Sequence, residues 1–124
     1  DKLDIPCVIK HFFDNFIEKL NQTDILITRA GAGTINDVIF TQTPSIFVPF
    51  PFSANKHQIY NAKFLVNKKT ALLIEEKNLN QTHSLLSLTQ LINNSDKQIN
   101  MIKNLQKIKY FDTNQLIYNQ LNEL

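Results

Sequence analysis

Short apolar runs alternate with segments of helical periodicity along the first 74 residues of the chain. Four runs have the β-branched and aromatic composition of strands, and they cover residues 5–10, 25–27, 45–48 and 70–74. The segments between them predict helices over residues 14–20, 34–42 and 57–66. Strands that alternate with helices through short connections favour an α/β fold with an open parallel sheet of the Rossmann-like type.

Beyond residue 82 the pattern is helical only. Leucine or isoleucine recurs at positions 85, 88, 91 and 92, and again at positions 99, 102, 105 and 108. Ser95 and Asp112 are the predicted N-caps of the last two helices. We expect these helices to pack on the sheet and to carry no chemistry. At 124 residues the chain fits one domain.

A glycine-containing turn lies between the predicted strand at residues 25–27 and the predicted helix at 34–42. It holds both glycines of the chain, Gly31 and Gly33, and its sole arginine, Arg29. Such a turn points backbone N–H groups and the positive end of a helix dipole at one small volume, which suits a phosphate or diphosphate. Glycine there permits close approach and a positive φ. The alternative is that the glycines only permit a sharp strand-to-helix turn.

Polar side chains near this turn are candidates for ligand binding. Asp37 follows Thr34 by three residues, so it is either the acidic member of a capping box or a carboxylate that accepts hydrogen bonds from a ribose. His57 and Gln58 open the helix that follows the strand at 45–48. Ligands of parallel α/β sheets bind beyond the carboxyl ends of the strands. We therefore expect two polar patches, residues 29–37 and 49–61, to be neighbours.

Composition and charge argue against several classes of function. The 13 basic and 11 acidic residues leave a net charge of +2, and the lysines are scattered, so nucleic acid is not an expected partner. The histidines at positions 11, 57 and 83 lack metal-ligand spacing, and the single cysteine, Cys7, cannot form an internal disulfide. No apolar run approaches the about 18 residues of a membrane-spanning helix. We expect a reducing, cytoplasmic setting, and an excised domain or fragment, since the chain begins at Asp1.

Three motifs, in order, resemble one family of glycosyltransferases. They read DILITRAGAGT at residues 24–34, PSIFVPFP at 44–51 and HQIYNA at 57–62. They are similar to the donor-binding half of the MurG family, the UDP-N-acetylglucosamine transferases of bacterial peptidoglycan synthesis, which have the two-domain GT-B fold. The resemblance runs from about Cys7 to the C terminus. It implies that residues 1–124 are the C-terminal donor domain. The N-terminal acceptor domain, the first glycine-rich loop of the donor domain and any catalytic residue would lie outside the chain.

The resemblance assigns these residues to the binding of UDP-N-acetylglucosamine: Phe13, Ala32, Gly33, Thr34, Asp37, His57 and Gln58. The backbone at Phe13 would meet the uracil, and Asp37 would bind the ribose at a position where the family usually has glutamate. Amides of the glycine turn and the Thr34 hydroxyl would hold the sugar and the diphosphate. His57 and Gln58 would recognise hydroxyls of the sugar.

Arg29 and Asn61 also match motif positions, and we expect structural roles for them: anchoring the turn and ordering the helix. The implied reaction is inverting transfer of N-acetylglucosamine from UDP to the hydroxyl of a lipid-linked muramoyl-pentapeptide, with no cofactor and no metal. The implied partners are UDP-N-acetylglucosamine and, through the N-terminal domain, the lipid-linked acceptor. The implied location is the cytoplasm, with peripheral contact at the inner face of the plasma membrane.

Two alternatives remain open at the level of the sequence. One is a related GT-B transferase with another nucleotide sugar, or a stand-alone donor subunit recruited by a membrane partner, as in a eukaryotic two-subunit transferase. The other is a non-catalytic α/β interaction domain that has lost ligand binding.

Overall fold

A parallel sheet lies at the centre of the computed structural model, which describes residues 5–109. Its strands are β1 (Leu26–Thr28), β2 (Ser45–Phe47) and β3 (Ala71–Leu73). They are adjacent in chain order, with Ile27 paired to Ile46 and Ile46 to Leu72. The predicted open parallel sheet with flanking helices is therefore confirmed.

Helices and two 3₁₀ turns connect and flank the strands. The helices are α1 (Phe16–Asn21), α2 (Ala32–Thr41), α3 (His57–Asn67), α4 (Thr82–Ile92) and α5 (Ser95–Gln106). The 3₁₀ turns are Ala54–Lys56 and Glu76–Asn78. The cap of α5 is Asn94, whose side chain accepts a hydrogen bond from the Lys97 amide at 3.0 Å, and not Ser95 as predicted. The helix predicted after Asp112 lies outside the described residues.

Hydrophobic clusters cover both faces of β2. Phe47 packs in the cluster formed with α2 and α3. Ile46 packs in the other, with Leu91 of α4 and Met101 of α5. Successive residues of a strand point to opposite faces, so a strand covered on both sides needs apolar residues at consecutive positions. Both side chains are fully buried, and each burial stabilises the fold by about 1.5–3 kcal/mol, so β2 is firmly held at the centre.

The strand predicted over residues 5–10 does not form, and that prediction is wrong. This segment has no regular secondary structure and is exposed, with Ile9 at 89 % exposure. A strand needs a hydrogen-bonding partner, and in residues 5–109 the sheet contains β1, β2 and β3 alone. The helix predicted next is present as α1, with Asn15 at its N-cap but without a capping hydrogen bond from that side chain.

Helix α2 begins at Ala32 and not at Thr34 as predicted, which contradicts one of the two alternatives for Asp37, the acidic member of a capping box with Thr34. The Gly31 carbonyl accepts a hydrogen bond from the Ile35 amide at 3.0 Å, which closes the first turn earlier than the side chains suggest. Asp37 therefore lies in the second turn of α2, beyond the N-terminal amides that a capping side chain reaches.

Candidate functional site

The loops that follow the three strands meet at the carboxyl end of the sheet. The first carries the glycine turn into α2, and the second runs from Val48 into α3. The third begins after β3 and leads into the 3₁₀ turn Glu76–Asn78. Side-chain hydrogen bonds join all three loops, so the expected proximity of the two polar patches is confirmed.

Arg29 is the residue that joins them. Its Nη1 donates to the backbone carbonyls of Val48, at 3.2 Å, and Pro49, at 3.3 Å, directly after β2. Nη1 and Nη2 also make a two-pronged ion pair with the Glu76 carboxylate, at 3.3 and 3.2 Å, directly beyond β3. The guanidinium carbon lies 5.7 Å from the centre of the Phe50 ring. The structural, anchoring role expected for Arg29 is thus confirmed.

Helix α3 holds the glycine turn through the peptide groups of Ala30, a residue that is fully buried. The Gln58 Oε1 accepts hydrogen bonds from the Ala30 amide, at 3.3 Å, and from the Phe50 amide, at 2.8 Å. The Asn61 Nδ2 donates to the Ala30 carbonyl at 3.0 Å. The structural role expected for Asn61 is therefore confirmed. Both lone pairs of the Gln58 oxygen are used inside the protein, so its NH₂ group is the part left to meet a ligand.

The N-terminus of α2 is open. No side chain caps it, and the amides of the first helical residues have no acceptor within the helix. Ala32 and Gly33 are exposed. The positive partial charge of the helix end and these amides therefore face open space at the carboxyl end of the sheet.

The glycines are not needed for the backbone conformation of the turn. Gly31 has φ −66° and ψ 152°, which any residue adopts, and within residues 5–109 no glycine has a positive φ. The expected positive φ is therefore absent. A Cβ at Gly31 or at Gly33 would meet no atom within 4 Å. The two glycines instead leave a bare backbone surface at the start of α2.

Asp37 is partly buried on α2, and burial raises the pKa of its carboxyl above the ordinary 3.8. The cause is loss of water around the charged form. A carboxylate in this setting is a strong acceptor for hydroxyl groups, because a hydrogen bond to the ionised form compensates for the lost solvation.

The remaining predicted residues lie apart from this network. His57 is exposed at the first residue of α3, after two residues with left-handed backbone, Asn55 (φ 50°) and Lys56 (φ 56°). Phe13 precedes α1, with the Lys10 Nζ 5.9 Å from its ring centre. Within residues 5–109, no hydrogen bond or ring contact joins Phe13 to the glycine turn.

Sequence reasoning missed Glu76. It is the second residue of an acidic pair that follows β3, and the pair alone does not indicate which carboxylate turns toward Arg29. The available signal was charge complementarity, because the sole arginine and an acidic pair follow two strands of one parallel sheet.

Other features of the described residues do not suggest a second chemistry. Within residues 5–109, no three His, Cys, Asp or Glu side chains are placed to share a metal ion. Each helix in that range is too short or too polar to traverse a bilayer. A wide groove of about 780 Å³ lies between α5 and the start of β3, at the end of the sheet away from the glycine turn, and histidine, cysteine and serine are absent from its lining.

Residues 1–116 match the family model for the glycosyltransferase family 28 C-terminal domain. The chain belongs to this family. The match includes the glycine turn, α2 and the first turns of α3, so the site described above lies inside the glycosyltransferase family 28 domain.

Relatives in the family are larger proteins. A UDP-N-acetylglucosamine–N-acetylmuramyl-(pentapeptide) pyrophosphoryl-undecaprenol N-acetylglucosamine transferase of Synechocystis is 48% identical over 68 residues, which are 55% of this chain and 19% of the relative. The enzyme of the same name from Rickettsia felis is 37% identical over 106 residues, 82% of this chain and 29% of the relative. The chain thus spans less than a third of the length of these relatives.

A solved structure has the same fold. The crystal structure of Acinetobacter baumannii MurG superposes with a TM-score of 0.76 at 23% identity, over 91% of this chain and 32% of that one. The predicted resemblance to the MurG family is confirmed at the level of the family and of the fold of this domain, which matches about a third of a GT-B glycosyltransferase.

Asn61→Ala should lower the free energy of unfolding by about 1–3 kcal/mol, because it leaves the buried carbonyl of Ala30 without its donor. Asn67→Ala is the matched control, since Asn67 ends the same helix and is exposed. We expect the control to change stability by less than about 0.5 kcal/mol in urea unfolding. Equal effects of the two substitutions would show that Asn61 does not hold the turn.

Asp37→Asn should be more stable than the wild type near pH 7, because the amide removes the penalty of burying a charge. The folded state binds this proton more tightly than the unfolded state. The difference should therefore shrink as the pH falls through the raised pKa, and it should vanish well below 3.8, where the wild-type carboxyl is neutral in both the folded and the unfolded state.

Urea unfolding of both proteins at about pH 7 and about pH 4 measures this difference. Asp24→Asn is the control, because Asp24 is exposed before β1, at the far end of the sheet. A loss of stability in Asp37→Asn near pH 7 would show instead that the protein stabilises the ionised carboxylate.

Proposed function

We propose that residues 1–124 form one donor-binding domain of a hexosyltransferase that moves N-acetylglucosamine from UDP-N-acetylglucosamine to a lipid-linked muramoyl-pentapeptide in peptidoglycan synthesis. The observation that carries the proposal is the open N-terminus of α2, held in place by Arg29, Gln58 and Asn61. Family membership and the names of the relatives supply the chemistry of the substrate.

The diphosphate is assigned to the N-terminus of α2. Uncapped amides and the helix dipole favour a doubly charged group there. The bare surface at Gly31 and Gly33 supports this assignment, because neither conformation nor packing calls for glycine at those positions, whereas a ligand in contact with the backbone does. The Thr34 hydroxyl lies in the same first turn and is assigned to the diphosphate and the sugar.

The ribose is assigned to Asp37, one turn further along α2. Its carboxylate is partly desolvated and lies outside the reach of a cap, so hydrogen bonding to a diol is the role that suits it. Aspartate is shorter than the glutamate that the family usually has, and the ribose therefore has to approach α2 more closely. The backbone at Phe13 is assigned to the uracil, by resemblance.

The sugar is assigned to His57 and to the NH₂ group of Gln58. His57 is exposed at the start of α3, and the oxygen of Gln58 is held by the two neighbouring loops, which fixes the position of the amide group. A side chain fixed in this way binds hydroxyls without losing further rotational freedom.

Within the transfer reaction, this domain would bind the donor and stabilise the leaving group. Negative charge develops on the diphosphate as the glycosidic bond breaks, and preorganised amides at a helix end stabilise that charge. The proposal assigns no catalytic residue, cofactor or metal to residues 1–124. The base and the acceptor site would belong to the rest of the enzyme.

The lipid-linked acceptor defines the proposed setting. The relatives act, by name, on an undecaprenol-linked acceptor, and such a lipid resides in a membrane. We therefore place the whole enzyme in the cytoplasm, in peripheral contact with the inner face of the plasma membrane. Nucleic acid is not a proposed partner.

Calorimetric titration of the chain with UDP and UDP-N-acetylglucosamine, without added metal, tests the proposal. We expect saturable binding that is stronger than binding of ADP or GDP. Asp37→Ala should weaken UDP binding by about 10- to 100-fold, because a hydrogen bond to a charged acceptor is lost. Asp24→Ala serves as the control. A folded chain that binds no uridine nucleotide, or an Asp37→Ala protein with wild-type affinity, contradicts the proposal.

Sugar specificity has a separate test. His57→Ala should reduce the preference for UDP-N-acetylglucosamine over UDP-glucose while leaving the affinity for UDP unchanged, because His57 is assigned to the sugar alone. Titration of wild type and variant with all three ligands measures this ratio. An unchanged ratio would remove His57 from the sugar site.

A further inference from the structure

We infer that Glu76 is a positioning residue for the donor site: through Arg29, it sets the relative placement of the glycine turn and of the loop after β2. This inference rests on the proposed function for its consequence, the affinity for a uridine nucleotide. Glu76 itself follows β3, and its described side-chain contact is with Arg29 and not with the residues assigned to the ligand.

The geometry of the pair gives Glu76 control over the guanidinium. Both carboxylate oxygens accept, at 3.3 and 3.2 Å, from the two terminal nitrogens of Arg29. A two-pronged pair of this kind fixes the plane of the guanidinium as well as its position. Both side chains remain accessible, at 46% for Arg29 and 43% for Glu76, so burial alone does not hold Arg29 in place.

The backbone around Glu76 is itself ordered. The Leu79 amide donates to the Glu76 carbonyl at 3.2 Å, and the Asn78 amide donates to the Glu75 carbonyl at 2.8 Å. The carboxylate is thus presented from a short 3₁₀ turn that follows directly on β3. The side chain of Glu76 thus ties Arg29 to the end of β3.

Arg29 in turn positions the loops through its other contacts. Its remaining hydrogen bonds go to the carbonyls of Val48 and Pro49, and Phe50 lies against its guanidinium. The Phe50 amide in turn donates to Gln58, whose oxygen also holds the Ala30 amide. Without Glu76, the half-exposed Arg29 side chain would keep only the hydrogen bonds from Nη1 to the Val48 and Pro49 carbonyls. Its guanidinium would then be free to rotate.

Glu76 also has an electrostatic effect that opposes its positioning effect. Its charge neutralises the only arginine at the carboxyl end of the sheet, so removal of Glu76 would leave an unpaired cation near the proposed diphosphate. If electrostatics dominated, Glu76→Ala would bind UDP more tightly. If positioning dominates, as we infer, the same substitution weakens binding.

The test compares two neighbouring glutamates in the full chain. Glu76→Ala should raise the dissociation constant for UDP about threefold to tenfold, and Glu76→Gln, which keeps one acceptor, should raise it less. Glu75→Ala is the matched control, because Glu75 pairs with Lys77 at 3.0 Å and not with Arg29, and it should leave the constant unchanged. Wild-type affinity or tighter binding in Glu76→Ala overturns the inference.

A double-mutant cycle shows whether Glu76 acts through Arg29. In an Arg29→Ala background, Glu76→Ala should change the dissociation constant by less than about twofold, because the residue through which it acts is already gone. Additive effects would assign Glu76 a separate role. Affinities are compared at a temperature at which unfolding curves show every variant to be folded, so a loss of stability alone does not move the readout.

Amide hydrogen exchange separates this inference from the proposed function. Glu76→Ala, but not Glu75→Ala, should accelerate exchange in residues 29–34 and 48–52, with or without nucleotide. If the wild type is folded yet binds no UDP while exchange responds in this way, the proposed function fails and the anchoring by Glu76 stands. If exchange in these segments is the same in both variants, the positioning role of Glu76 is contradicted, whether or not UDP binds.

Discussion

The site at the carboxyl end of the sheet depends on the guanidinium of Arg29. Each strand contributes only three residues, so few sheet hydrogen bonds extend toward the loops that follow. The planar guanidinium of Arg29 supplies additional hydrogen bonds between these loops. The backbone of Arg29 lies just beyond β1, and its side chain bonds to groups beyond β2 and β3. The three loops are therefore one unit, and the glycine turn cannot shift without breaking these bonds.

The same region contains several features that do not maximise stability. Helix α2 starts without a side-chain cap, Asp37 is partly desolvated, and Asn55 and Lys56 adopt left-handed conformations that are unfavourable for residues with a side chain. The uncapped start and Asp37 lie on α2 itself, while Asn55 and Lys56 directly precede α3. Departures of this kind are typical of functional sites, where groups are held ready for a ligand and are not paired within the protein.

Different helices pack on the two faces of the sheet. Helices α2 and α3 pack in one cluster with Phe47, and each begins after a loop at the carboxyl end of the sheet. On the other face, Leu91 of α4 and Met101 of α5 close a cluster around Ile46, while Leu105 of α5 joins the Phe47 cluster. Covering β2 on both sides makes the centre of the sheet rigid, and that rigidity is the foundation on which the Arg29 network holds the loops.

Local pattern in the sequence was enough to locate β1, β2, β3 and the helices between them, because apolar periodicity and turn residues act over short distances. It was also enough for the family, whose motifs are contiguous stretches such as the glycine turn. Only the tertiary structure decided features that depend on partners far away in the chain. Residues 5–10 have strand composition but no strand to pair with in the described part of the chain, and α2 begins where its backbone bonds close, not where its side chains suggest a cap. Glu76 meets Arg29 across 47 residues of sequence, and Gln58 turns its oxygen inward to two loops. The sequence by itself shows which groups can form hydrogen bonds or ion pairs. The packing of the whole chain decides which partner each group has.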